Sequence, residues 1–136
     1  MSRNKHSQRR GAAAVEFAVI APMMIMLTFG LVEVGRIMLV KQTAVHASRE
    51  GARIAVRPTA DDNDVVQRVT EELNIMALSD AVIETEPASL ADAAPGSTVT
   101  VRVRINLTDI SWIPGVFDFA ASEIIAETAM RRESTQ

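Results

Sequence analysis

Cysteine is absent from this 136-residue chain, which removes disulfides, thiolate metal sites, covalent haem attachment and a cysteine nucleophile at once. Any part outside the cytoplasm must then be held by its own core or by partners. Aromatic residues are scarce, at 4%, and the two histidines, His6 and His46, lie on opposite sides of the long apolar run described below, so they cannot form a metal or catalytic pair. P-loop, G-x-S-x-G, H-E-x-x-H and dinucleotide-binding patterns are all missing. The length allows one small domain and hardly two, which excludes a multidomain enzyme. Basic charge is concentrated at one end. Arg3, Lys5, Arg9 and Arg10 are the only ionised side chains before Glu16, and the rest carries 10 basic against 17 acidic groups. An acidic remainder is a poor nucleic-acid binder.

The chain does have one long apolar run. From Phe17 to Val32 it reads FAVIAPMMIMLTFGLV without an ionisable residue, between Glu16 on one side and Glu33 and Arg36 on the other. Taken as a helix from Ala12 to Gly35, this segment is roughly 36 Å long, enough to cross a hydrocarbon core of about 30 Å. The Arg/Lys cluster precedes it, so the charge-bias rule expects a cytoplasmic N-terminus and an extracytoplasmic remainder. Pro22 removes a backbone hydrogen bond, and Gly30 and Gly35 are soft points, so a kinked or locally melted helix is expected. A secretory signal peptide cut after Val45-His46-Ala47 is the competing reading. The cut would lie much too far beyond Val32, and the run exceeds the 7–15 residues typical of such segments.

Glu16 stands at the start of this run, where a carboxylate is costly and calls for a partner. Arg9 and Arg10 could snorkel back to it within one chain. If the chain were cut between Gly11 and Ala12, the new amine would lie four residues, about one helical turn, before Glu16. The Glu16 carboxylate of one subunit could then neutralise the Ala12 amine of a neighbour in a stack of helices.

The segment Gly11-Ala12-Ala13-Ala14-Val15-Glu16-Phe17, after a basic leader and before an apolar helix, resembles the processing site of type IV prepilins in the form used by Tad/Flp pili. With Pro22, Gly30-Leu31-Val32-Glu33-Val34-Gly35-Arg36 and Arg49-Glu50-Gly51-Ala52-Arg53, it resembles the TadE-like family of minor pseudopilins. The segment Met130-Arg131-Arg132-Glu133 is similar to that family's usual ending. The resemblance implies cleavage after Gly11 by a prepilin peptidase, Ala12 as the mature N-terminus, and Glu16 with Phe17 in subunit assembly. It also implies partners among the major Flp pilin, TadF-like and other pseudopilin subunits, and the inner-membrane pilus platform. No cofactor is implied.

Beyond Arg36 the sequence stays helix-compatible to Arg57. Ile37, Val40, Ala44, Ala47, Gly51 and Ala55 make a face of small residues suited to lying against a sheet. Arg49, Arg53 and Arg57 form a second row, solvated or contacting an acidic partner, with Arg53 and Arg57 complementing the helix C-terminus before Pro58. Asp61-Asp62-Asn63-Asp64 should cap a second helix over 65–73, with Met76 continuing its apolar period. The glycine and closing glutamate of a calcium loop are missing, so no metal is expected there. Glu71 and Glu72 read as a solvated helix face.

Strict alternation over 99–107 predicts a strand with one buried face. The run 82–86, joined to it through a loop with Pro95-Gly96, predicts an antiparallel partner. Pairing Glu84 with Arg104 and Glu86 with Arg102 is the register that opposite charges suggest. The segment 124–132 is read as a third strand. Trp112 and Phe117 lie in an apolar stretch that either fills the core or makes a subunit or membrane-interface contact.

The expected fold is α+β and pilin-like. It comprises a leader over 1–11, a transmembrane helix over 12–35 continuing upward, and a periplasmic domain over 36–136 with a second helix and an antiparallel sheet. The expected function is that of a non-enzymatic minor pseudopilin in the bacterial inner membrane, at the base of a pilus or within its fibre. The alternative is an uncleaved, membrane-anchored periplasmic interaction domain.

Overall fold

The computed structural model describes residues 5–107 and 123–133. In chain order these form α1 (Lys5–Ala55), α2 (Asp62–Asn74), β1 (Val82–Glu86), a single 3-10 turn at Leu90–Asp92, β2 (Thr98–Asn106) and β3 (Glu123–Arg131). The strands make one antiparallel sheet in the order β1-β2-β3. The fold is therefore α+β, with a long apolar N-terminal helix. Two compact units share α1, Met1–Gly35 and Arg36–Gln136.

In the first unit α1 stays α-helical through Pro22, Gly30 and Gly35. Of the kinked or locally melted helix expected from these residues, the local melting does not occur. A proline costs the helix one hydrogen bond, while the bonds around it remain, and Thr28 Oγ1 donates to Met24 O at 2.8 Å one turn further on.

In the second unit the small-residue face of α1 is the floor of the core. Val40, Ala44, Ala47, Ala52 and Ala55 are all buried, and so is Gly51. A Cβ added at Gly51 would stand 2.5 Å from Val69 Cγ2 and 3.2 Å from Val101 Cγ1, so α1 touches both α2 and the sheet at one point. Ser48, also buried, accepts or donates a 2.8 Å hydrogen bond with Thr128 Oγ1 of β3. A cut after Ala47 would sever the helix in the middle of this core, which weighs against the signal-peptide reading. Helix α1 ends at Ala55, two residues short of Arg57. Arg57 precedes Pro58, whose ring disfavours helical geometry at the residue before it.

Helix α2 starts as its acids predict, though with a division of labour. Asp61 is the N-cap and accepts from Asp64 N at 2.8 Å, while Asp64 Oδ2 accepts from Asp61 N at 3.1 Å, closing a reciprocal capping box. Asp62 instead reaches the 87–97 loop, accepting from Leu90 N at 2.8 Å and Ser89 Oγ at 3.0 Å. Val65, Val69 and Leu73 are the buried stripe. Past Asn74 the chain reverses through Ala77, whose φ is +54°. Ala77 N donates to Asn74 O at 3.0 Å and Leu78 N to Leu73 O at 3.2 Å, the bond pair of a Schellman closure.

Val99, Val101, Val103 and Ile105 of β2 are buried, as the alternation requires, and 124–132 does supply the third strand. The register of β1 is corrected by two residues. Glu84 faces Arg102, Val82 faces Arg104 and Glu86 faces Thr100. A slip of two keeps every side chain on its own face, so burial cannot distinguish the two registers. The third strand supplied the missing charge. Glu127 of β3 also faces Arg102 and meets its Nη2 and Nε at 3.0 Å, while Glu84 lies 3.6 Å away on the other side. The Glu127 hydrogen bond and charge raise the Arg102 pKa above its ordinary value, with Glu84 and Glu86 adding to the effect.

Candidate assembly site

The N-terminal part of α1 carries the residues singled out for processing and assembly. Gly11, Ala12, Glu16 and Phe17 are all exposed, and no atom lies within 4 Å of where a Cβ on Gly11 would stand. All four sit in unbroken helix, so Ala12 and Glu16 are one turn apart on the same face. The Gly11–Ala12 bond is itself inside α1. Glycine costs a helix interior about 1 kcal/mol relative to alanine, which makes this the weakest place in the turn.

From Phe17 to Val32 the helix carries no ionisable side chain, and its large hydrophobic side chains are exposed. Phe17 is 73% exposed, and Ile20, Met23, Met24, Leu27 and Leu31 are each more than half exposed. It is long and apolar enough to cross a membrane. A helix without a polar face is stable only in lipid or among other apolar helices.

The basic row on α1 does not act as one unit. Arg53 Nη1 binds Glu50 Oε1 at 3.3 Å. Arg49 and Arg57 are exposed and have no ion pair or side-chain hydrogen bond among the described residues. Arg57 lines an open groove of about 290 Å³ with Ile54, Thr59, Gln67, Arg68 and Glu71.

Sequence reasoning missed the network beside that groove. Arg68 of α2 binds Glu72 at 2.7 Å and Glu71 at 3.4 Å, and lies 3.7 Å from Glu50 of α1; His46 Nδ1 lies 3.7 Å from Glu72. Glu72 therefore turns toward α1, contrary to the solvated-face reading, whereas Glu71 stays exposed. The signal available was the four-residue spacing of Arg68 and Glu72. The link to Glu50 depends on how the helices pack. Trp112 and Phe117 lie outside the described residues.

An apolar, exposed N-terminal helix joined to a small α+β unit fits the class of membrane-anchored, single-pass proteins. Residues 11–53 match the family described as TadE-like protein, so that segment is similar to this family. That similarity points to a pilin-like component associated with Tad pili. No curated protein and no solved structure matches the chain.

Proposed function

We propose that the chain is a minor pseudopilin of a Tad/Flp pilus machine. It inserts with its N-terminus in the cytoplasm, is cleaved after Gly11 by a prepilin peptidase, and packs through α1 with other pilin-like subunits to prime or support assembly. The observation that carries this reading is the exposed helical segment from Gly11 to Phe17, which heads an uncovered apolar helix and lies within the TadE-like match.

Cleavage would create a free amine at Ala12 one turn before Glu16. Among packed helices, the Glu16 carboxylate of one subunit pairs with the Ala12 amine of the next, neutralising two charges that lipid would penalise. The residues from Arg36 onward form the periplasmic part, and Arg49 and Arg57, which have no ion pair among the described residues, offer cations to an acidic neighbour, such as a TadF-like or major Flp subunit.

The test is intact mass and N-terminal peptide analysis of protein purified from native membranes. A mature chain beginning at Ala12 supports the proposal. A chain beginning at Met1 or Ser2 overturns it in favour of an uncleaved anchored domain.

A further inference from the structure

Strand β1 lies at an edge of the sheet, and among the described residues it pairs with β2 alone. In an antiparallel ladder, alternate residues turn their N–H and C=O groups away from the partner strand. No other hydrogen bond among the described residues reaches the backbone of residues 82–86, so this row of groups is open to a further strand. Pro87, without an N–H, follows directly and confines the edge to the five residues of β1.

Beside this edge runs an open groove of about 540 Å³, walled in part by Glu84, Glu86, Pro87, Thr100 and Arg102. Ile83 and Thr85 are half-buried, whereas Val82, Glu84 and Glu86 are exposed. A strand added here would set alternate side chains beside Glu84 and Glu86.

The charges define what such a strand must carry. On the β2 side, Glu84 lies 3.6 Å from both Arg102 Nη1 and Arg104 Nε. Glu86 instead faces Thr100 and has no ion pair among the described residues. Arg102 is already shared between Glu84 and Glu127. Opposite charges across two strands favour pairing, and like charges oppose it. Pairing all five residues of β1 antiparallel with a second copy would set Glu84 against Glu84, so the edge charges act against self-association. A strand with arginine or lysine at alternate positions meets the opposite situation. Strand β2, in which Arg102 and Arg104 alternate with valines, is a strand of this kind, and it is seated on the other side of β1.

We propose that the free edge of β1 is a docking site for an extended basic segment of another protein, which adds a fourth strand and sets a cation against Glu86. Backbone hydrogen bonds hold the segment, and its alternate side chains select it.

The test uses the full chain in detergent micelles and a short capped peptide alternating valine and arginine. Fluorescence anisotropy reads binding, and residue-resolved amide hydrogen exchange reads its place. The expected result is saturable binding with slowed exchange confined to the amides of β1. Glu86→Lys should weaken binding about fivefold or more, and Glu86→Gln by less, with exchange in β2 and α2 unchanged as the sign that both variants are folded. A peptide methylated at alternate backbone nitrogens should not bind. Absence of binding, or binding without slowed exchange in β1, would overturn the proposal, the second outcome marking a diffuse attraction between opposite charges. Equal binding of a valine–glutamate peptide would overturn the choice of a basic occupant. Concentration-dependent slowing of β1 exchange without peptide would overturn it in favour of a second copy.

Discussion

Gly51 of α1 and Val69 of α2 approach so closely that a single added methyl group would stand 2.5 Å from Val69 Cγ2. Val69 is fully buried, and its β-branched side chain is restricted at χ1. Gly51→Ala should therefore destabilise the domain by about 1–3 kcal/mol, although alanine is the better helix former. Denaturant unfolding in detergent measures this. The double variant with Val69→Ala should recover part of the loss, and additive losses would show that the two sites do not meet.

Ala77 occupies left-handed backbone, with φ at +54°, to close α2. An L side chain pays about 1–2 kcal/mol there and glycine pays almost nothing. Ala77→Gly should raise stability by about 1 kcal/mol, offset partly by the freedom glycine adds to the unfolded chain. A fall in the unfolding midpoint would contradict this closure.

Arg132 fastens the 87–97 loop to the end of β3. Its Nη1 donates to Leu90 O and, at 3.1 Å, to Ala93 O, while its backbone N donates to Ser97 O at 2.8 Å. Arg132→Ala should cost about 1–3 kcal/mol and expose the loop to limited proteolysis, because carbonyls near the buried Leu90 lose a charged donor. Arg132→Lys should restore little of it, since an ammonium cannot reproduce the guanidinium fork.

Of the three arginines in the α1 row, Arg53 is held by Glu50, while Arg49 and Arg57 have no ion pair among the described residues. Charge reversal at Arg49 or Arg57 should leave stability within about 0.5 kcal/mol, as for ordinary surface changes. The same changes should weaken in vivo cross-linking to neighbouring pilus subunits. Unaltered cross-linking in the double reversal would remove the row from the interface.

Glu16→Ala should permit insertion and cleavage but reduce co-assembly with other subunits, read as pilus yield; full piliation would count heavily against amine–carboxylate docking. Gly11→Val should leave an uncut chain detectable by mass, and a processed product would show that the cut lies elsewhere.

Several features were legible because they depend on local order along the chain. The alternation over 99–107 specifies which side chains of β2 are buried, and period alone suffices for that. The run Asp61-Asp62-Asn63-Asp64 announces a helix start through side-chain oxygens that reach only a few residues. It did not reveal that Asp62 serves Leu90 and Ser89, 28 and 27 residues away. The β1 register was misjudged because the β1 charges taken alone favour pairing both glutamates with arginines, whereas Glu127, far along the chain, shares Arg102 with Glu84 in the observed register.

By itself, the sequence determined the apolar helix, its N-terminal Gly11-to-Phe17 element, the small-residue face of α1 and the identity of the elements, all properties of composition and short-range periodicity. Only the tertiary structure decided that Glu50 meets Arg68 and that, among the described residues, Arg53 is paired while Arg49 and Arg57 are not. Each of these depends on which helix face or strand neighbour is brought alongside, and that is set by packing the whole core at once.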